Sequence, residues 1–129
     1  MTLHDHHLLE LTISATERTI RLRTAHSEPL GPELGDAVFE GVEAYVFHGD
    51  ALGTILSDIE PVDAMTLYRA YAPEMARAFA DSGGHASWTE SEAAAGAFLA
   101  SGEVRGYRVT SSIGLEGAVW SRSLSIRKR

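Results

Sequence analysis

The chain contains no cysteine, no asparagine and no glutamine, and its eleven basic residues include a single lysine, Lys128. The absence of cysteine excludes disulfides, thiolate nucleophiles and cysteine metal sites. Without amide side chains the chain lacks the groups that pair with adenine in the major groove of DNA. A single lysine leaves almost no candidate for Schiff-base chemistry.

Long apolar runs are also missing. No stretch approaches the ~20 residues that a membrane helix needs. The opening residues MTLHDHHLLEL lack the basic and apolar regions of a secretion signal. Together with the lack of cysteine, these features predict a soluble cytoplasmic protein, bacterial by default, that does not interact with membranes.

The net charge is −7, and the charge is unevenly distributed. Residues 104–129 hold six of the eleven basic side chains and one acid, Glu116. Nucleic-acid binding depends on concentrated cationic contacts with phosphate, so an acidic chain predicts no nucleic-acid partner. The acidic surface is instead suited to a basic protein partner.

Alternating apolar and polar residues predict antiparallel strands in the first half of the chain. Leu9, Leu11 and Ile13 are expected to face the core on one strand, and a hairpin leads to the next strand through Ile20 and Leu22. Residues 37–47 and 52–59 predict two more strands around a turn at His48 to Asp50, with a bulge at Gly41 and a stop at Pro61. The third strand is expected to set Phe39, Tyr45 and Phe47 on one face and Val42, Ala44 and Val46 on the other.

Helical signals follow. Asp63 is a predicted N-cap for a helix from Ala64, and Pro73 favours a break of that helix at Ala72. The apolar stripe of this region consists of Leu67, Tyr71, Met75 and Phe79, and Gly83 and Gly84 are expected to end it. Thr89 and Glu92 form a predicted capping box for a short helix that runs to Ser101.

The chain ends in two predicted strands, 104–111 and 119–126, joined by a turn at Gly114 to Gly117. Trp120, Leu124 and Ile126 are expected to face inward together, and the basic tail 127–129 is expected to be solvated. The order predicts one α+β domain, residues 1–129. Its antiparallel sheet has about six strands, and two or three short helices precede the last two. A partly closed barrel or a sandwich is the alternative.

The histidines are the residues most suggestive of chemistry. His4 and His6 would share a face if the first strand extends to them, and with His48 they form a candidate metal set, although zinc requires three or four converging ligands. A polar strand start explains the same residues without a metal, and no cofactor is predicted. His48 could also act as a general base oriented by Asp50, whereas turn chemistry alone explains Asp50.

Other reactive groups give weaker signals. Asp58 and Glu60 form a carboxylate pair on one strand face, and Ser111 or Ser112 would need a neighbouring histidine to act as a nucleophile. No nucleophile elbow or phosphate loop is present. Trp88 is interpreted as a hydrophobic staple or as a surface anchor, and with Asp50 it is a candidate partner contact. An apolar pocket lined by Tyr45, Tyr71 and Trp88 would indicate a small-ligand site.

Segments 3–9, 39–47, 53–59 and 111–120 together resemble a family of small bacterial proteins of unknown function, and the likeness covers most of the chain. That family implies no catalytic residues. In size, acidity and strand pattern the chain is also similar to β-rich immunity proteins of bacterial toxin systems, which is an analogy of layout. We therefore expect a non-enzymatic interaction module, with a protein partner or a second copy in a homodimer. A metal-dependent or histidine-based enzyme and a small-ligand-binding protein are the alternatives.

Overall fold

The computed structural model describes residues 2–82 and 86–129, with side chains described except at 79–82. Within these residues the strands are β1 (His7–Ser14), β2 (Thr19–His26), β3 (Glu33–His48), β4 (Ile55–Val62), β5 (Arg105–Ile113) and β6 (Glu116–Lys128). The helices are α1 (Ala64–Ser82) and α2 (Glu92–Leu99), and a 3₁₀ turn (Ser87–Glu90) lies between them. This order confirms the predicted α+β fold with helices inserted before the last two strands.

All strand pairs are antiparallel, in the order β1-β2-β3-β6-β5-β4, and β4 returns to β1 so that the sheet closes into a ring. The β1–β2, β2–β3 and β5–β6 connections allow antiparallel pairing alone, since a parallel crossover needs a dozen or more residues. The closing seam is thin. Within the described residues, β1 and β4 are in register only at His7 and Ile55.

Two apolar cores lie on opposite sides of this sheet. The first fills the ring and contains buried residues from five strands, among them Ile20, Leu22, Phe39, Leu56, Val109 and Val119. The second lies between the outside of the ring and the helices, and it includes Ala44, Leu67, Tyr68, Met75, Trp88, Ala95, Ala118 and Trp120. Both faces of the middle strands are therefore covered.

Strand β1 contains a bulge that changes which residues face inward. Its register with β2 shifts between Leu8 and Glu10. Leu8 and Leu11 pack against the core inside the ring, whereas Leu9 is exposed. The prediction that Leu9 faces the core is wrong, because a bulge adds one residue and breaks the alternation of side chains. The same prediction is wrong for Ile13, which is 43% exposed near the end of β1.

The bulge predicted in β3 is confirmed. Its register with β6 shifts between Val42 and Ala44, next to Gly41, whose φ of 63° favours glycine. Val42 packs against the first core, whereas Ala44 belongs to the second. The prediction that Val42 shares a face with Ala44 and Val46 is therefore wrong, because the irregularity lies between them, whereas Phe39 and Phe47 both pack on the ring side as expected.

Trp120 is buried, as predicted, but on the other side of the sheet from the expected one. It pairs with Ala44 and packs under the helices, whereas Leu124 and Ile126 pack inside the ring. The three residues do not share a face, because the opposing irregularity near Gly41 interrupts the alternation in β6 as well.

Two prolines lie inside elements that the sequence predicts them to end. Strand β4 continues through Pro61, which is paired with Tyr107 of β5. Since the described part of β1 does not pair with this half of β4, Pro61 lies on an edge, where proline is tolerated. Helix α1 continues through Pro73, and the predicted break at Ala72 is wrong. Leu67 and Met75, on either side of the proline, are both buried in the second core, and this packing favours one helix.

The helix starts agree in part with the sequence. Asp63 caps α1, since its carboxylate accepts the Thr66 backbone N–H at 2.9 Å. Ser91, not Thr89, caps α2 by accepting the Ala94 backbone N–H at 3.1 Å. Thr89 is instead buried in the 3₁₀ turn and donates its hydroxyl to Ala86. The prediction for Phe79 lies outside the described side chains, and that for Gly83 and Gly84 lies outside the described residues.

The basic tail 127–129 is expected from the sequence to be solvated, but its last residue, Arg129, is bonded to β2 and β3. The Arg129 backbone N–H donates to Leu34 at 2.9 Å, and its Nε lies 2.6 Å from Asp36 Oδ1. Its guanidinium also donates to the Thr24 carbonyl at 3.3 Å. These contacts arise because β6 runs antiparallel to β3 and its last residues reach the first residues of β3. Thr24 lies beside them on β2. In the described part of the chain, no helix has the length and apolar character to cross a membrane.

Candidate functional site

His4 and His6 lie on opposite sides of a turn, not on one face of a strand. Strand β1 begins at His7, and Asp5 has a left-handed φ of 62°. The His6 backbone N–H donates to Leu3 at 3.0 Å and closes the turn. His4 is consequently exposed and contacts the Ser57 carbonyl at 2.8 Å.

His6 is buried and has a protein partner at each ring nitrogen. Its Nδ1 lies 2.8 Å from the Thr24 hydroxyl, which itself donates to the Gly35 carbonyl at 2.9 Å. Its Nε2 lies 3.3 Å from the Glu33 carboxylate, and its ring stacks on His26. A metal ion would have to displace Thr24 or Glu33, so this geometry suits a residue that ties the chain start to β2 and β3.

His48 has a carboxylate partner, but it is Glu74 of helix α1 rather than Asp50. The His48 Nε2 lies 2.6 Å from Glu74 Oε2, and the imidazole stacks on Tyr71. Burial raises the pKa of Tyr71, and the nearby Glu116 carboxylate raises it further. The carboxylate of Asp50 instead accepts the Leu52 backbone N–H at 2.9 Å, as in an Asx turn.

The remaining polar candidates do not converge on a histidine. Asp58 and Glu60 are exposed on β4, and Glu60 lies 3.9 Å from Arg108. Ser111 donates to the Leu115 carbonyl and Ser112 to the Ile55 carbonyl. Among the residues that the structure describes, no three His, Asp or Glu side chains are grouped so that they could hold a metal ion.

The aromatic candidates are separated. Trp88 is 6% exposed, stacks on Phe98 and contacts Trp120 in the second core, which leaves little of its indole for a partner. Tyr71 packs against the same core. Tyr45 lies at a different place, a pocket at one end of the ring, so the three residues do not line one cavity.

A site that the sequence did not reveal is organised by Thr54, whose side chain is fully buried between three chain segments. Its hydroxyl donates to the Asp50 carbonyl at 2.8 Å and accepts the Leu115 backbone N–H at 2.9 Å. Its carbonyl accepts the Leu8 backbone N–H at 3.0 Å. Thr54 thus joins the start of β1, the β3–β4 turn and the β5–β6 hairpin.

Each of these three segments carries one exposed apolar side chain. Leu9 is 60% exposed, Leu52 is 84% exposed and Ile113 is 61% exposed. They are three of the six large hydrophobic residues exposed among those described. We call this region the Thr54 surface: Leu9, Leu52 and Ile113 on the segments that Thr54 joins. Single exposed apolar residues are ordinary, whereas three that lie on segments joined at one buried hydroxyl make a candidate interaction site.

The same segments are acidic. Residues 4–10, 49–56 and 112–116 contain Asp5, Glu10, Asp50 and Glu116, and they contain no lysine or arginine. The nearest guanidinium recorded for these acids is that of Arg23, 4.0 Å from Glu10. The Thr54 surface therefore combines apolar side chains with a negative rim, the arrangement that suits a partner with basic and apolar groups.

Close packing fixes the geometry of the Thr54 surface. Gly114 has a φ of 97°, and a Cβ there would collide with the Thr54 hydroxyl and the Asp50 carbonyl. Glycine is thus required for the hairpin to approach the β3–β4 turn. In the sequence, the pairs Leu52-Gly53 and Ile113-Gly114 indicate turns that carry an apolar residue. The sequence does not show that these two turns touch, because their contact depends on closure of the sheet.

A scan against protein-family models and a search of curated proteins found no match to this chain.

Proposed function

We propose that the protein is a non-enzymatic binding module of the bacterial cytoplasm that uses the Thr54 surface to bind a protein partner. The observation that supports this most directly is the grouping of exposed Leu9, Leu52 and Ile113 on segments joined by one buried hydroxyl. Interfaces of this kind have an apolar centre and a polar rim. Because the segments are held in place before binding, less ordering entropy is lost on association.

The charge of the surface favours a basic partner. Four acids and no arginine or lysine in these segments attract a cationic surface and repel an acidic one. A second copy of the chain would set these acids against each other, so a homodimer through this surface is less favourable. The resemblance to immunity proteins suggests the form this role would take, in which the partner is a bacterial toxin.

The proposal is tested by comparing partner capture from native cell extract by three forms of the protein. The forms are the wild type, the triple variant Leu9→Ser, Leu52→Ser and Ile113→Ser, and a control, Leu30→Ser. Leu30 is fully exposed but lies outside the three segments. We expect wild type and control to capture the same partner and the triple variant to lose it. Failure of the wild type to retain any protein, or equal capture by the triple variant, would contradict the proposal.

The charge component is tested with the identified partner. Asp50→Asn and Glu116→Gln remove two charges and keep side-chain shape, and the amide oxygen introduced at position 50 would still accept the turn hydrogen bond. We expect the association rate to fall and the salt dependence of binding to weaken, because exposed charges act mainly through steering. An unchanged salt dependence would argue against a basic partner surface.

A further inference from the structure

A second site lies at the end of the ring that contains the β1–β2 turn. It is a pocket of about 290 Å³, at the lower end of the range of small-molecule sites. Ile20 and Ala44 are buried residues of its lining, and Ile13 and Tyr45 are partly exposed there. None of its lining residues belongs to the Thr54 surface, so this site is separate from the proposed function.

Arg18 lines this pocket in a conformation that is unfavourable for its residue type. Its φ of 55° is left-handed, which costs a residue other than glycine roughly 1–2 kcal/mol. Its carbonyl accepts the Val42 backbone N–H at 2.9 Å, which fixes the turn to another lining residue. Strained residues often occur where a side chain is required at a binding site.

The guanidinium of Arg18 has unused hydrogen-bonding capacity. Its Nη1 lies 3.1 Å from the carboxylate of Glu43, which is itself 3.8 Å from Arg122. Arg122 has a further partner in Glu103 at 3.0 Å. Within the described residues, Arg18 contacts a carboxylate through Nη1 alone. Its Nε and Nη2 groups are therefore available to a ligand, and Glu43 is shared between two cations.

We propose that the pocket binds a small carboxylic acid with one aromatic or branched aliphatic group. The apolar group packs against Ile13, Ile20 and Val42, and the ring of Tyr45 offers an aromatic face. The carboxylate binds Arg18, because a guanidinium presents paired N–H donors that match the geometry of a carboxylate.

The probe for this site is benzoate, with benzyl alcohol and benzylamine as neutral and cationic analogues of similar size. Each is titrated into the nitrogen-15-labelled full chain and followed by heteronuclear NMR. We expect saturable shifts at the amides of Val42 and Tyr45, with benzoate binding roughly tenfold more tightly than benzyl alcohol because of its charge-assisted hydrogen bonds. Absence of saturable shifts for all three probes overturns the site, and equal or tighter binding of the alcohol or the amine overturns the carboxylate assignment.

The role of Arg18 is tested with Arg18→Gly, since glycine accepts the positive φ and the variant should fold. We expect a roughly tenfold loss of benzoate affinity, with benzyl alcohol binding unchanged. Arg21→Ala, which removes an exposed arginine of the neighbouring strand outside this pocket, is the control and should bind benzoate as wild type does. Unchanged benzoate affinity in Arg18→Gly refutes the role of the guanidinium.

Discussion

Replacement of Thr54 by valine tests the structural basis of the Thr54 surface with little change in side-chain volume. The substitution removes the hydroxyl that donates to Asp50 and accepts from Leu115. Valine retains the branched shape, so no cavity is created. What changes is the hydrogen bonding of two backbone groups that hold the β3–β4 turn against the β5–β6 hairpin.

The two lost hydrogen bonds are not equivalent. The hydrogen bond to the Asp50 carbonyl is only partly buried, so its loss should cost less. Leu115 is 3% exposed, and its N–H would be left without an acceptor. A buried unsatisfied donor costs about 1–3 kcal/mol, so we expect the free energy of unfolding of Thr54→Val to fall by that amount. For a chain of this size this corresponds to a decrease in Tm of roughly 3–15 °C.

Urea unfolding followed by tryptophan fluorescence measures this change, and hydrogen exchange locates it. We expect faster exchange at the amides of Leu115 and Leu8, which bond to Thr54. Thr12→Val is the control, because it removes an exposed hydroxyl and should change stability by less than ~0.5 kcal/mol. If Thr54→Val were as stable as this control, with unchanged exchange at Leu115, Thr54 would not be the residue that joins the segments.

Three further predictions concern helix α1 and its aromatic residues. Asp63→Ala removes the cap on Thr66 and should lower the urea midpoint of unfolding. The Thr66 hydrogen bonds lower the pKa of Asp63, so its contribution to stability should be present at neutral pH and lost as the pH falls below the usual carboxyl range. Pro73→Ala should stabilise the helix by up to ~3 kcal/mol, seen as a higher Tm, and a lower Tm would show that the proline shapes the helix for packing. Burial raises the pKa of Tyr68 and Tyr71, so in a spectrophotometric titration they should ionise above pH ~10, with stability intact below that pH and falling above it. Ionisation of all tyrosines together at their usual pKa, in the folded protein, would contradict this.

Most strands could be predicted from sequence, because alternation of apolar residues reports directly on a half-buried sheet. The alternation fails where an extra residue enters a strand. Leu9 looks like a core residue in sequence and is exposed beside a bulge, whereas Gly41 indicates its own bulge by residue type. Alternation alone predicts the wrong side for Trp120, because the face change depends on the partner strand.

The sequence predicts a helix start correctly where the cap depends only on neighbouring residues, as for Asp63 and Thr66. Local signals fail at Pro73 and Thr89, because packing of the second core outweighs local preference there. The Thr54 surface could not be predicted for a related reason. Its three segments are far apart in sequence and meet only because the sheet closes, so no spacing or motif places Leu9 near Ile113.

Val119 and Trp120 are consecutive residues, yet one fills the ring and the other supports the helices. A shift of the β6 backbone that alters packing in one core therefore also alters packing in the other, because the two side chains are one peptide unit apart. Detachment of the helices from an intact ring would expose Trp120 to water and break its indole hydrogen bond to Ala64, so we expect the two layers to open together. Amides in the middle of β6 should accordingly exchange last of all, through global opening of both layers at once.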